Sequence, residues 1–225
     1  CMAMGTSTSG CNNVAIGRYA LGGANHTGAG ANVAIGKFAM CLLTTGLCNV
    51  AIGTNALGAS TTGCQNVAIG DTALGGAVTT GINNIAIGQN TMDALTSGDC
   101  NIAIGRMSMG QTTIGLMNVA VGMCAMAGVQ AGQADRNVAI GGNALYGVTT
   151  TSGNDNIAIG YAPMTALTTG ACNIAMGTSA MDALTSGACN IAMGLNALGA
   201  STTGSVNIAI GITAMGATDV TGVNN

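Results

Sequence analysis

The sequence predicts an all-β fold: a parallel β-roll solenoid of about 17 residues per rung, with residues 1–225 forming a single continuous array. Three observations carry this. The string Asn-Val/Ile-Ala-Ile/Met/Val-Gly occurs twelve times, beginning at Asn13, Asn32, Asn49, Asn66, Asn84, Asn101, Asn118, Asn137, Asn156, Asn173, Asn190 and Asn207. The gaps between starts are 17 to 19 residues, a period at which each repeat is one rung that buries its apolar face against its neighbours. The repeat does not read as helix: Gly and Asn recur too often, the apolar spacing within a rung is not helical, and helical repeats need about 33 residues or more.

Within a rung, Val-Ala-Ile is β-branched and apolar and reads as a short strand. Successive side chains alternate, so Val14 and Ile16 face one way and Ala15 the other. Neither face carries a polar residue in any rung, and a strand apolar on both faces is buried on both. The expectation is that Val/Ile fill the coil and that Ala faces neighbouring chains, with Ala86 and Ala103 lining the axis of an assembly. The Gly four residues after the Asn, from Gly17 to Gly211, reads as a corner. Eight residues after the Asn comes Leu or Met in every rung: Leu21, Met40, Leu57, Leu74, Met92, Met109, Met126, Leu145, Met164, Met181, Leu198 and Met215. The residue before it is Ala, except at Thr91, Ser108 and Pro163. This stretch is read as an apolar return strand, its Met and Leu interchangeable core residues. A polar corner follows, as in Thr44-Thr45-Gly46 and Thr185-Ser186-Gly187. The longer rungs insert there, at Asn25-His26-Thr27, around Gln130-Ala131 and at Thr149-Thr150-Thr151, which places this corner outside.

A single rung cannot offset its own backbone entropy with its few large side chains, so stability lies between stacked rungs. At about 4.8 Å per rung the array would make a rod roughly 60 Å long. The recurrent Asn is expected to stack as an amide ladder, each side chain bonding to the rung above or below; the alternative is a plain turn residue.

Composition narrows the function classes. There are four Lys/Arg, seven Asp and no Glu, for a net charge of −3, so no basic stripe addresses nucleic acid or an anionic membrane. Every apolar run is interrupted long before the ~18 residues a membrane span requires, so no membrane insertion is expected. One Phe, three Tyr, one Pro and no Trp leave the core to Ala, Val, Ile, Leu and Met. The chain begins Cys1-Met2-Ala3-Met4-Gly5, read as a degenerate rung, and ends Asn224-Asn225, read as the start of another; the expectation is an excerpt of a longer fibre. Cys1 as the lipid-bearing first residue of a processed lipoprotein is the alternative.

No residue is singled out as catalytic, cofactor-binding or metal-binding, and no cofactor is expected. Of nine cysteines, Cys48, Cys100, Cys172 and Cys189 precede a motif Asn directly, Cys11 and Cys64 stand two before one, and Cys41 and Cys124 lie elsewhere. No C-x-x-C is present, and the shared position reads as a small apolar packing site with reduced thiols. Disulfides between chains or rungs, and a metal-binding ladder, are the alternatives. His26 reads as a solvated loop residue. Asp93 and Asp182 share a rung position but stand 89 residues apart, which is no carboxylate pair.

The tandem N-V-A-I-G-x-x-A-L with its Thr-Thr-Gly corner resembles the head repeats of trimeric autotransporter adhesins and the repeats of phage tail fibres. The likeness spans essentially the whole chain. It implies a left-handed roll, three chains side by side about a threefold axis, and attachment to a cell surface. Adhesin heads use a shorter rung, so the 17-residue rung looks more like the fibre variant. The expected function is the structural shaft or adhesive segment of a homotrimeric surface or viral tail fibre, on a virion or an extracellular surface. Its partners would be two further copies of itself and a host receptor or glycan reached through loops or a tip. An ice-binding solenoid is the alternative, because Thr pairs repeat at rung spacing. An enzyme such as a polysaccharide-cleaving tailspike would need a carboxylate cluster, and none is read in the sequence.

Overall fold

The computed structural model describes residues 10–22, 28–128, 134–147, 153–217, 219–222 and 224–225. The insertions expected around His26, Gln130 and Thr150 fall outside the described residues, as does Cys1. The chain divides into two compact units, Cys1–Ile114 and Gly115–Asn225.

Each unit is a parallel β-solenoid with one three-residue strand per rung. The first holds β1 (Val14–Ile16), β2 (Val33–Ile35), β3 (Val50–Ile52), β4 (Val67–Ile69), β5 (Ile85–Ile87) and β6 (Ile102–Ile104). The second holds β7 (Val119–Val121), β8 (Val138–Ile140), β9 (Ile157–Ile159), β10 (Ile174–Met176), β11 (Ile191–Met193) and β12 (Ile208–Ile210). Consecutive strands of the first unit pair parallel and in register, Val14 opposite Val33 and Ala86 opposite Ala103. The second unit repeats the arrangement, with Ile174 opposite Ile191. Register is one rung to the next without slip, as the period predicts. Bonds just outside the strand extend the ladder: the Val33 N–H donates to the Asn49 carbonyl and the Gly36 N–H to the Ile16 carbonyl, both at 2.8 Å.

The faces of the strand are the reverse of the sequence expectation. The central Ala is the inward residue: Ala34, Ala51, Ala86, Ala103, Ala139 and Ala175 are all 0% exposed. Its flanks look outward, Val14 at 45% and Ile16 at 58%. The cause is parity. Asn, Ala and Gly of the motif alternate with Val and Ile, so all three point one way. The Asn side chains are buried, from Asn32 to Asn207, and they carry Ala inward with them. The space a small Ala leaves is filled from the far wall by the Leu/Met residue, fully buried at Met40, Leu57, Met109, Leu145 and Met164. Ala86 and Ala103 therefore line the coil and not an assembly axis.

The return segment is also not a strand. It is a run of tight turns in which three non-glycine residues per rung hold left-handed φ: the residue before the Asn, the one six after it, and the buried Leu/Met. In the second rung these are Ala31, Phe38 and Met40, with φ of 55°, 60° and 49°. Each such residue costs about 1–2 kcal/mol relative to a right-handed conformation. Ladder bonds hold them there: Asn55 N–H donates down to the Lys37 carbonyl at 2.8 Å, and Leu57 N–H donates up to the Ala73 carbonyl at 3.0 Å. Residues two apart thus bond to opposite neighbours, whereas in a regular parallel strand they bond to the same one. Pro163 fits because its position elsewhere makes only a weak intra-rung turn bond of 3.2–3.5 Å through its N–H, while its carbonyl still accepts from Leu145 at 3.0 Å.

Candidate functional site

The most distinctive interior feature is the amide ladder, present as expected. The Asn49 backbone N–H donates to Asn32 Oδ1 at 2.9 Å, and Asn49 Nδ2 donates to the same oxygen at 3.1 Å and to the Gly63 carbonyl at 2.8 Å. The pattern repeats in the second unit through Asn156, Asn173 and Asn190. The ladder joins the strand to the Thr-Thr-Gly corner and saturates the buried amide. It is structural, with no open polar atom offered to a ligand.

The outside of each unit is different. The Val/Ile flanks of every strand form two parallel columns facing outward. In the first unit Ile16, Ile52 and Ile104 stand out, and in the second Ile140, Met193, Ile208 and Ile210. The residue five after the Asn extends the same face. It is Arg18, Lys37, Thr54, Asp71, Gln89 and Arg106 in the first unit. In the second it includes Met123, Tyr161, Leu195 and Ile212, all exposed. The second unit's face is thus more apolar.

The residues before the motif Asn have the same outward parity. Cys48, Cys100, Cys172 and Cys189 are therefore exposed, and their reading as packing residues is corrected. Among the described residues, the eight cysteines form no disulfide. In the same column Arg136 grips Asp155 of the next rung with two bonds, Nε to Oδ1 at 2.7 Å and a second guanidinium nitrogen to Oδ2 at 2.9 Å. This pair holds the Asp155 carboxyl below its ordinary pKa, the hydrogen bond being the main cause.

One further column was not legible in the sequence. Two residues before the Asn, a side chain of the next rung accepts the backbone N–H of the rung below: Ile82 N–H to Asp99 Oδ1 at 2.7 Å, Leu116 to Asp135 Oδ1 at 2.9 Å, Asp135 to Asn154 Oδ1 at 2.8 Å, and Ala188 to Ser205 Oγ at 3.1 Å. Cys64 Sγ does the same for Leu47 at 3.4 Å. Asp, Asn, Ser and Cys share only an acceptor atom at short reach, so no one residue type marks the position.

Asp93 and Asp182 lie in different units. Burial raises the pKa of each carboxyl above its ordinary value. Asp93 Oδ1 is buried without a hydrogen-bond partner. Shallow grooves run along the turn side: one of about 340 Å³ beside Phe38, Cys41 and Asn55, and one of about 390 Å³ beside Cys124, Asn143 and Tyr146. Near the first, Tyr19 and Phe38 stack at 5.3 Å between centroids, with Arg18 and Lys37 over the rings at 5.1 and 5.3 Å. Among the described residues no group of three or more His, Cys, Asp or Glu side chains gathers where it could hold a metal ion. No helix is long and apolar enough to cross a membrane. No protein-family model, curated protein or solved structure matches the chain.

Proposed function

We propose that the chain is a segment of a homotrimeric surface or viral tail fibre that serves attachment to a host or another surface. The observation that carries this reading is the outward Val/Ile face: each rung of each unit presents two β-branched or Met side chains outside its coil. Contiguous exposed apolar columns of this kind mark an interaction surface. A threefold arrangement in which equivalent rungs meet would cover them with the same columns of two further copies. The faces that meet are then Val/Ile and not Ala.

Light scattering tests assembly. The expected mass is three times the 21.6 kDa of one chain. Ile104→Asp and Ile140→Asp, at positions 38% and 39% exposed, should lower that mass while leaving the circular dichroism of the coil in place. A stable single chain in the unsubstituted protein overturns the trimer. Attachment is tested by retention of the assembled protein on arrays of glycans and on immobilised cells; retention on none of them overturns that half of the reading.

The ice-binding alternative has less support, because corner hydroxyls are engaged within the stack. Thr44, Thr96, Thr168 and Thr185 each donate to a carbonyl of the next rung at 2.8–2.9 Å. Thermal hysteresis of a protein solution would restore it.

A further inference from the structure

We propose that Cys172 and Cys189 form a two-coordinate site for a soft, thiophilic cation of the copper(I) class. The two residues occupy the outward column that precedes the motif Asn, in adjacent rungs. Both are exposed. Their backbones are duplicates: φ is 60° at Cys172 and 59° at Cys189. Each donates its N–H one rung back, Cys172 to the Asn154 carbonyl and Cys189 to the Ala171 carbonyl, both at 3.0 Å. The strands that follow pair in register, Ile174 opposite Ile191. Two residues with the same φ, the same bond and the same register project their Cα–Cβ bonds in parallel, one strand spacing of about 4.8 Å apart.

That spacing decides between the uses of a thiol pair. A disulfide needs its Cβ atoms about 3.8 Å apart, and parallel Cβ atoms held a full rung apart miss it unless the ladder tilts. A metal–thiolate bond is about 2.3 Å, so two laid end to end across one cation span about 4.6 Å, close to the rung spacing. A straight S–metal–S line with two thiolates suits a soft monovalent cation and leaves zinc, which takes four ligands, unsatisfied. The column supplies no third donor. Asp155, the neighbour on one side, is held in both oxygens by Arg136, and the neighbour on the other side is Val206. Cys48 has no such partner, since Ala31 and Gln65 flank it in its column. On binding, each thiol releases its proton to water as its sulfur takes the cation, two protons per ion, and copper stays in the +1 state throughout.

Anaerobic titration with copper(I) buffered by bathocuproine disulfonate tests the site. The unsubstituted protein should take one ion per chain from the chelator. Cys172→Ser and Cys189→Ser should each bind at least 100-fold more weakly, and Cys48→Ser should bind like the unsubstituted chain. The Ser variants should keep their circular dichroism, because Val, Asp and Arg stand in the same column. A second measurement uses no substitution: silver(I) should protect Cys172 and Cys189 together from iodoacetamide, read by mass spectrometry. No uptake by the unsubstituted chain, loss in only one of the paired variants, loss in Cys48→Ser, or protection of neither paired cysteine overturns the proposal.

Discussion

Asn173 is the residue on which the ladder can be read most directly. Its side-chain oxygen accepts from both nitrogens of Asn190, and its Nδ2 donates to Asn156 Oδ1 and to the Gly187 carbonyl. Asn173→Ala strands the Asn190 N–H and the Gly187 oxygen in a buried site, at about 1–3 kcal/mol for each unpaired group. The expected loss is about 3 kcal/mol or more, read as a lower urea midpoint. Asp93 tests the opposite case. Its native pKa is raised, chiefly by burial, so the folded chain holds a proton that the unfolded chain has released, and stability falls as pH rises through that window. Asp93→Asn should therefore stabilise the fold at pH 7, and its advantage should shrink as the pH drops below the native value of Asp93. A constant difference across that range would contradict the assignment. At this scale the recurrence of Asn made the ladder legible in the sequence. The same recurrence held the answer to which face is buried, because Asn and the strand Ala share parity. Hydrophobicity pointed the other way, since Val and Ile outrank Ala as core residues when each is judged alone.

Strand and turn differ in how far the sequence announces them. The strand is three apolar residues between Asn and Gly, β-branched at its flanks except for Met176 and Met193, and its place and register were legible from spacing. The turns after it were not. Left-handed φ is ordinarily a Gly or Asn property, yet here Leu57 holds +48° and Met109 +49°. Only scattered residues such as Asn55, Asn90, Asn143 and Asn196, six after the motif Asn, hint at the conformation. Ladder bonds and burial of the Leu/Met side chain override local preference. The strand Gly is where backbone demands are absolute. Gly177 has φ of +138°, and a Cβ there would lie 2.5 Å from the Gly194 carbonyl oxygen of the next rung. Gly177→Ala should cost about 3 kcal/mol or more, combining strain with a backbone clash. Gly28→Ala is the control: nothing lies within 4 Å of its added Cβ, and the change should stay within about 0.5 kcal/mol. Denaturant titration of both variants checks the contrast.

At the scale of the molecule, a solenoid's stability is close to a sum of rungs and nearest-neighbour interfaces, so length is negotiable where register is not. The second unit permits a clean test. Removing the 17 residues Asn173 to Cys189 joins Cys172 to Asn190 and recreates the native Cys-Asn-Ile-Ala-Met-Gly junction. The shortened protein should keep its circular dichroism and unfold cooperatively, with stability reduced by roughly one rung and its interface. Inserting a single Ala between Ile174 and Ala175 should do far more harm. A one-residue slip inside β10 turns each later strand side chain to the opposite face, carrying Ala outward and Met176 into the crowded interior. Insertion of the same Ala after Ala183 lies between the buried Met181 and the Thr185-Ser186-Gly187 corner, the stretch in which rung lengths already vary between 17 and 19 residues, and should be tolerated. The order of stability by urea denaturation is therefore expected to run from the unsubstituted chain, through the corner insertion and the whole-rung deletion, to the strand insertion. A strand insertion no more harmful than the corner insertion would mean that register is not what holds the coil. Asn parity would then not be what fixes the inward face.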